Sequence, residues 1–289
     1  MELLRTTQYI IRHVETLDEL IHIEQMQVEV WGIHNPVELV PKDILLIVQK
    51  NGGLVLGAFD FNGKMIGFLF GFIGQTLQGH FKHCSHMMGV LAEYRHLGIG
   101  EQLKRVQREV IQQQGMDLIT WTVNPLEGVN ASLNFGKLGV ICRTFLPNFY
   151  GEMEDELNKG LPSDRFQVEW WINSERVTQR LAGVRDPRSM SDWLEAGAKL
   201  VNRVRSDGKV EFETDLNGQN ALLIEMPVSI QQIKMSSINL AREWLELSRQ
   251  FFVSAFENDF VVTEFISETK DGQRRNYYLL IHAPANITK

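Results

Sequence analysis

Arg95, Gly98 and Gly100 stand in the order Arg-x-x-Gly-x-Gly, a spacing able to hold a phosphate group. The segment sits between an apolar, strand-like run and a long amphipathic stretch. Read as strand, glycine loop and helix, it brings backbone N–H groups to a helix N-terminus with nothing bulky before them. First-turn N–H groups lack intrahelical partners and the helix dipole adds positive potential there, so a pyrophosphate is the natural guest. The spacing alone is weak, since chains of this glycine content match it by chance. Two titratable groups lie beside it. His86 titrates near neutrality and is a candidate base, against the plainer reading of a packed sheet histidine. Glu93 is a second candidate, against a solvated place at the loop edge. His80, His83, Cys84 and His86 look like metal ligands by type. Strand alternation turns His83 away from the face of His80 and His86, and no later cluster completes a set, so no metal is expected.

These residues need elements to position them. Ile99, Leu103, Val106 and Val110 have the three-to-four spacing of one buried helix face. Gly115 follows as a C-terminal cap, and Leu118 to Val123 reads as the next strand. Upstream, Tyr9 to Val14 is a strand, Thr16 or Asp18 caps a helix running to Trp31, and Pro41 opens a short helix to Gln49. Leu54 to Phe59 and Lys64 to Ile73 form a hairpin across Asp60-Phe61-Asn62-Gly63. The order is strand, two helices, three strands, helix, strand.

Val90-Leu91-Ala92-Glu93-Tyr94-Arg95-His96-Leu97-Gly98-Ile99-Gly100 resembles the acyl-CoA-binding motif of the GNAT acyltransferase superfamily. A second stretch, Asn130-Ala131-Ser132-Leu133-Asn134-Phe135-Gly136-Lys137-Leu138-Gly139, resembles that family's second signature, in the expected order and at the expected distance. A narrower likeness to a little-characterised subgroup with a C-terminal extension rests on His86-Met87, Asn124-Pro125, Lys137-Leu138-Gly139 and Asn148-Phe149-Tyr150-Gly151. The resemblance implies a mixed, mostly antiparallel central sheet flanked by helices, an α/β (α+β) fold. It implies that the amides of Arg95, His96, Leu97, Gly98, Ile99, Gly100 and Glu101 hold the CoA pyrophosphate. It also implies a bulge in the preceding strand near Met88, Gly89 and Val90, where a backbone N–H polarises the thioester carbonyl. Asn130 resembles the family's CoA-contacting asparagine. The family's usual acid is a tyrosine, whose position here is Phe135. Phenylalanine donates no proton, which leaves Tyr150 as a substitute or the thiolate departing unaided. Asn124 faces the acyl group or acceptor on this reading, and Arg143 or Arg165 could clamp a carboxylate.

The resemblance thus implies an acyl-CoA-dependent N-acyltransferase acting on a small amine or amino acid by direct transfer, with acetyl-CoA as donor. Succinyl-CoA or another acyl-CoA stays open as donor. A CoA-binding sensor or scaffold without transfer chemistry is the rival, and an α/β domain with a fortuitous loop is the third reading.

Composition bounds these readings. The 289 residues suffice for one large domain or two ordinary ones, with 44% hydrophobic and 22% charged residues. A net charge of −7 argues against a nucleic-acid partner. Cys84 and Cys142 cannot make a disulfide framework and read as buried free thiols. No leader pattern or membrane-length apolar run is evident, so a cytoplasmic protein with no membrane partner is expected; a homodimer stays open. Residues 1–151 form the expected acyl-CoA-binding domain and 152–165 a polar linker. Residues 166–289 form a smaller α/β accessory half that packs on the first. Within it, Phe166 to Asn173 and Ala221 to Pro227 read as strands, and Gln179 to Asp192 as a loop. Trp193, Ala196, Leu200 and Val204 suggest a helix, and Ser206-Asp207-Gly208 a turn. Ser237 caps a helix to Phe256, and Phe260 to Ile266 and Asn276 to Ile281 pair across Lys270-Asp271-Gly272.

Overall fold

In the computed structural model, the described residues are 2–282 except His34, Glu154, Glu156, Leu157, Ser206, Asp207, Thr214, Asp215, Asn217 and Asp271. The turns expected at Ser206-Asp207-Gly208 and Lys270-Asp271-Gly272 lie in part outside them. The chain divides into two compact units, residues 1–121 with 154–157, and residues 122–153 with 158–289. This division by compactness falls within a strand and gives the second signature to the C-terminal unit.

The first unit holds strands β1 (Glu2–Arg5), β2 (Tyr9–His13), β3 (Leu54–Asp60), β4 (Met65–Gln75), β5 (Phe81–Val90) and β6 (Leu118–Val123), side by side in chain order. All neighbours are antiparallel except β5 and β6. Helices α1 (Leu17–Trp31), α2 (Lys42–Lys50) and α3 (Ile99–Gln113) complete it. Apart from β1, which the sequence reading lacks, this is the order that the acyltransferase resemblance implies. Thr16 and Glu19 form a reciprocal capping box that starts α1, and Gly32 ends it in the left-handed region at φ 66°. Leu20, Ile23 and Met26 of α1 and Leu45 of α2 join Val55, Phe59, Phe68 and Phe70 in one core. No helix of the described residues is long and apolar enough to cross a membrane.

The second unit begins with a helical stretch, α4 (Gly128–Ala131) running into π-helical turns over Ser132–Leu138, closed by Gly139 at φ 75°. Then come β7 (Ile141–Leu146), β8 (Arg165–Trp171), α5 (Glu175–Leu181), α6 (Met190–Glu195), β9 (Lys199–Leu200), β10 (Asn202–Val204), β11 (Val210–Phe212) and β12 (Ala221–Met226). Helices α7 (Ile230–Ser236) and α8 (Ile238–Glu257) and strands β13 (Phe260–Lys270) and β14 (Gln273–His282) end the unit. Its sheet runs β8-β7-β13-β14-β12-β9, with β10 and β11 as a separate hairpin.

The helix expected around Trp193 to Val204 is only six residues long, and the loop expected from Gln179 to Asp192 contains parts of two helices. Gly197, at φ 94°, stops α6 one turn in, and β-branched Val201 and Val204 continue into extended chain. Ser174 and Ser189 supply the caps that make α5 and α6 helices. Of the two cysteines, Cys142 is buried as expected, whereas Cys84 is only partly so.

Aromatic residues fill this unit's core. Phe166 lies 4.7 Å from Phe252, 5.6 Å from Tyr278 and 6.5 Å from Phe135, centroid to centroid, all edge-on. Trp170 donates its indole N–H to Leu138 O at 2.8 Å, and Tyr278 its hydroxyl to Pro125 O at 2.9 Å, so neither buried polar tip is left unpaired. Phe166→Ala should cost about 3–5 kcal/mol of unfolding free energy. Denaturant titration followed by near-ultraviolet circular dichroism checks it, because loss of ring packing removes that signal.

Candidate functional site

Gly98 is the hinge of the glycine loop. A short 3-10 helix, Ala92–Leu97, leads into it; Gly98 takes φ 72° and α3 starts at once. A side chain at Gly98 would meet nothing within 4 Å, so the glycine serves the backbone turn and an open approach to the amides, not close packing. The first helical bond of α3 is Gln102 N–H to Gly98 O, at 3.2 Å. The N–H groups of Ile99, Gly100 and Glu101 therefore precede the ladder and point out of the helix end, with no side-chain cap. A Cβ at Gly100 would come within 3.4 Å of Met88 Cε, which sets the loop beside β5. Arg95 Nε donates to Val90 O, at 3.2 Å, across the loop.

The strand before the loop is bulged, but not where the sequence places the bulge. Phe70 pairs with Met87 and Gly71 with Ser85, which leaves His86 outside the β4–β5 ladder. Met88, Gly89 and Val90 pair regularly with Leu69, Phe68 and Gly67. The glycine that permits the bulge is Gly71 on β4, since a Cβ there would fall 2.3 Å from His83 Nε2 and 2.7 Å from Cys84 O. Gly89 is small for another reason: its Cβ would press within 2.8 Å of the Phe68 ring. On its other side β5 pairs with β6 only at His83–Ile119 and Cys84–Thr120. Among the described residues the two strands pair no further beyond Cys84, so this edge of β5 lacks a β6 partner beside the bulge.

His86 is exposed and lies edge-on to Phe70 at 5.8 Å and near Phe72 at 6.1 Å. Desolvation by these neighbours lowers its pKa, so its neutral form, the one that accepts a proton, dominates at pH 7. Glu93 is exposed and pairs with Lys64 at 3.3 Å. A backbone hydrogen bond and Lys64 lower its pKa, which makes it a poor base. His96 is exposed, and Leu97 is partly buried.

The remaining candidates belong to the second unit. Tyr150 is exposed, shares a 2.8 Å hydrogen bond with Thr122 Oγ1, and packs edge-on to Phe149 at 4.8 Å. Asn124 accepts from Leu126 N–H at 2.9 Å, so its carbonyl oxygen holds the turn ahead of α4. Asn130 is exposed on α4. Both arginine candidates have structural work: Arg143 pairs with Glu169 at 3.0 Å, and Arg165 is buried, donating to Asp164 O and Asn158 Oδ1, each at 2.9 Å. Phe135 is fully buried against Phe166 and Tyr278, so it is a core ring.

A polar group beneath the site escapes the sequence reading. Lys104, 2% exposed, donates from Nζ to Ser85 Oγ at 2.7 Å and Gln107 Oε1 at 3.2 Å, and sits 3.6 Å from the Trp121 ring centroid. Burial pushes its ammonium pKa well below the usual lysine value. His83, in the same buried layer, has no hydrogen-bond partner at either ring nitrogen. Desolvation first, then Lys104, lowers its pKa to about 3. The missed signal was a second stripe on α3, Lys104, Gln107 and Ile111, at the helical spacing of Leu103 and Val106 and as buried as they are.

No protein-family model matches this chain, and no curated protein does. Solved structures do match in part, each over a little more than half of this chain. The ribosomal-protein-S18-alanine N-acetyltransferase of Escherichia coli is 16% identical, with 57% of this chain and 95% of that chain covered and a TM-score of 0.45. A GNAT-family acetyltransferase of Streptococcus pneumoniae is 16% identical, covering 56% and 98%, at 0.46. The ribosomal-protein-S5-alanine acetyltransferase of Vibrio fischeri is 14% identical, covering 60% and 98%, at 0.46.

The buried bases give the site a pH signature. His83 binds a proton more weakly folded than unfolded, so its contribution is complete above about pH 6.5 and is lost as pH falls toward 3, at ~1.4 kcal/mol per pH unit. His83→Leu should therefore shift acid unfolding, followed by far-ultraviolet circular dichroism, to lower pH than wild type. Lys104 acts in the alkaline range. Its folded pKa is depressed, so wild-type stability should rise with pH toward 10.5 relative to Lys104→Met, as paired denaturant titrations at pH 7.5 and 9.5 would show.

Proposed function

We propose that this chain is an acyl-CoA-dependent N-acyltransferase of the GNAT type that transfers its acyl group directly to a small amine or amino acid. The observation that carries the reading is the left-handed Gly98 opening α3 next to a bulged strand with a free edge. A pyrophosphate would accept from the N–H groups of the loop, from Arg95 to Glu101, in the field of the helix dipole. Pantetheine would lie along the free edge of β5, in place of the strand pairing that stops after Cys84. The thioester carbonyl would then meet a backbone N–H of the bulged segment, His86 to Met88, a donor fixed before reaction and aimed at the developing oxyanion.

His86 is the base this arrangement supports best: it stands at the bulge and is neutral at pH 7. Glu93 is left a solvated partner of Lys64. Phe135 has no part in the chemistry, and Tyr150 is the remaining proton donor, oriented by Thr122. A CoA thiol, with a pKa near that of cysteine, about 8.5, leaves as thiolate without strict need of an acid. Acetyl-CoA is the donor proposed, with succinyl-CoA the alternative; no metal enters the reaction so drawn.

Calorimetric titration of CoA, acetyl-CoA and succinyl-CoA into wild type and Gly98→Glu tests the loop. Wild type should bind, and the variant should lose at least about tenfold in affinity, because the carboxylate would stand where the pyrophosphate sits. Equal binding by both proteins would remove the loop from the reading. With a turned-over amine in hand, His86→Gln should lower kcat by about 10²–10⁴ with little change in acyl-CoA affinity. Phe135→Tyr should leave kcat unchanged while destabilising the fold, since its hydroxyl would be buried among rings.

A further inference from the structure

The second unit contains a cleft of about 710 Å³ that the acyltransfer reading leaves unused. Four arginines line it, Arg176, Arg180, Arg185 and Arg188, against three carboxylates, Glu175, Asp186 and Glu264. Trp193, Leu279 and Ile281 are among its apolar lining residues. Ser174 caps α5, and one helical turn separates Arg176 from Arg180, so both guanidinium groups leave the same face. A bulge between Val262 and Glu264 on β13 takes Thr263 out of the ladder. Its carbonyl then accepts from Arg176 Nη2, while Glu264 bonds both Arg176, at 3.0 Å, and Arg180.

The charges do not balance. Two largely buried guanidinium groups share the single carboxylate of Glu264, and each lowers the other's comfort with its charge. Burial, with Arg180 among its neighbours, lowers the pKa of Arg176. Asp186 is taken by Arg188, through Nε at 2.9 Å, while Glu175 accepts from the neutral Gln179 at 2.8 Å and keeps its charge, so four arginines face three carboxylates. Arg185, exposed at the cleft, has no partner among the described residues. Arg188 lies flat on Trp193, 3.5 Å from its ring centroid, which keeps one face of that aromatic wall polar. A chain with net charge −7 thus carries an excess of one positive charge around a cleft of ligand size, with Arg185 as the cation unpaired among the described residues.

We propose that this cleft binds a small organic anion, its carboxylate or phosphate head between Arg185 and Arg180 and its apolar body against Trp193, Leu279 and Ile281. Head and body answer different lining residues, charged and apolar, so neither an inorganic ion nor an uncharged aromatic satisfies both. The site would make the C-terminal unit a ligand-binding module. The inference does not rest on the acyl-CoA reading.

The test follows the Trp193 indole N–H resonance, assigned by its absence in Trp193→Phe, during titration of benzoate, 1-naphthoate, phenyl phosphate and inorganic phosphate. The full chain carries Gly98→Glu throughout, which removes the other anion site. A saturable shift with at least one of the three organic anions is expected at up to millimolar concentration, and a weaker one with inorganic phosphate or with uncharged benzamide. Arg185→Glu, at an exposed position that leaves the core intact, should raise the dissociation constant at least about tenfold. The head group is settled by whether the carboxylates or phenyl phosphate bind more tightly. The proposal is overturned if no organic anion saturates, if benzamide binds as well as benzoate, or if Arg185→Glu binds like the parent.

Discussion

The close approach of β4 and β5 at Gly71 constrains everything around the first unit's site. Any side chain at residue 71 would occupy the place of the His83 ring and of Cys84 O. With that space open, the imidazole folds under the sheet, and the strand takes up its extra residue at His86. Strand alternation turns His83 and Ser85 inward, and His86, the residue left out of the ladder, reaches the surface. Lys104 of α3 then finds Ser85 waiting beneath the strand. One absent side chain thus sets the position of the candidate base and the shape of the free edge beside it.

The polar layer below β5 runs against simple economy. A buried lysine and an unpartnered buried histidine both cost stability unless neutral, and the lowered pKa values of both record that cost. Apolar residues of similar size would pack there without penalty. On the proposed reading, the layer lies directly under the strand whose backbone would polarise a thioester. Lys104 over Trp121 anchors Ser85, and burial weakens its hold on a proton.

Much of the first unit was legible because its signals are local. The α1 cap at Thr16, the hairpin at Asp60 to Gly63 and the stripe on α3 each act within a few residues, and each element formed within a residue or two of its expected bounds. The bulge was misplaced because a glycine on the bulged strand, Gly89, drew attention from the one opposite it. Register is a property of two strands, and Gly71 lies fifteen residues upstream across a turn. Lys104 was missed because a charged residue beside Leu103 reads as solvent-facing until Ile111 shows that the buried stripe is wide. In the second unit the helix drawn through Trp193 to Val204 followed apolar spacing and passed over Gly197. There the stronger local signal was the stop, not the stripe.

Phe135 joins fold and chemistry. In the sequence it looks like a lost acid, because the resemblance places a tyrosine there. In the structure the ring is fully buried in a cluster with Phe166 and Tyr278, where a hydroxyl would need a partner and would have no open path to a reacting group. The position has therefore been given over to packing, and with it the second signature has been drawn into the core of the C-terminal unit. The stretch that resembles the end of an acyltransferase domain is held by rings from β8 and β14, so its stability is that of the extension. A catalytic tyrosine needs one wet face; a ring that closes a core cannot have one. Tyr150, exposed and hydrogen-bonded to Thr122, keeps the wet face that Phe135 lacks.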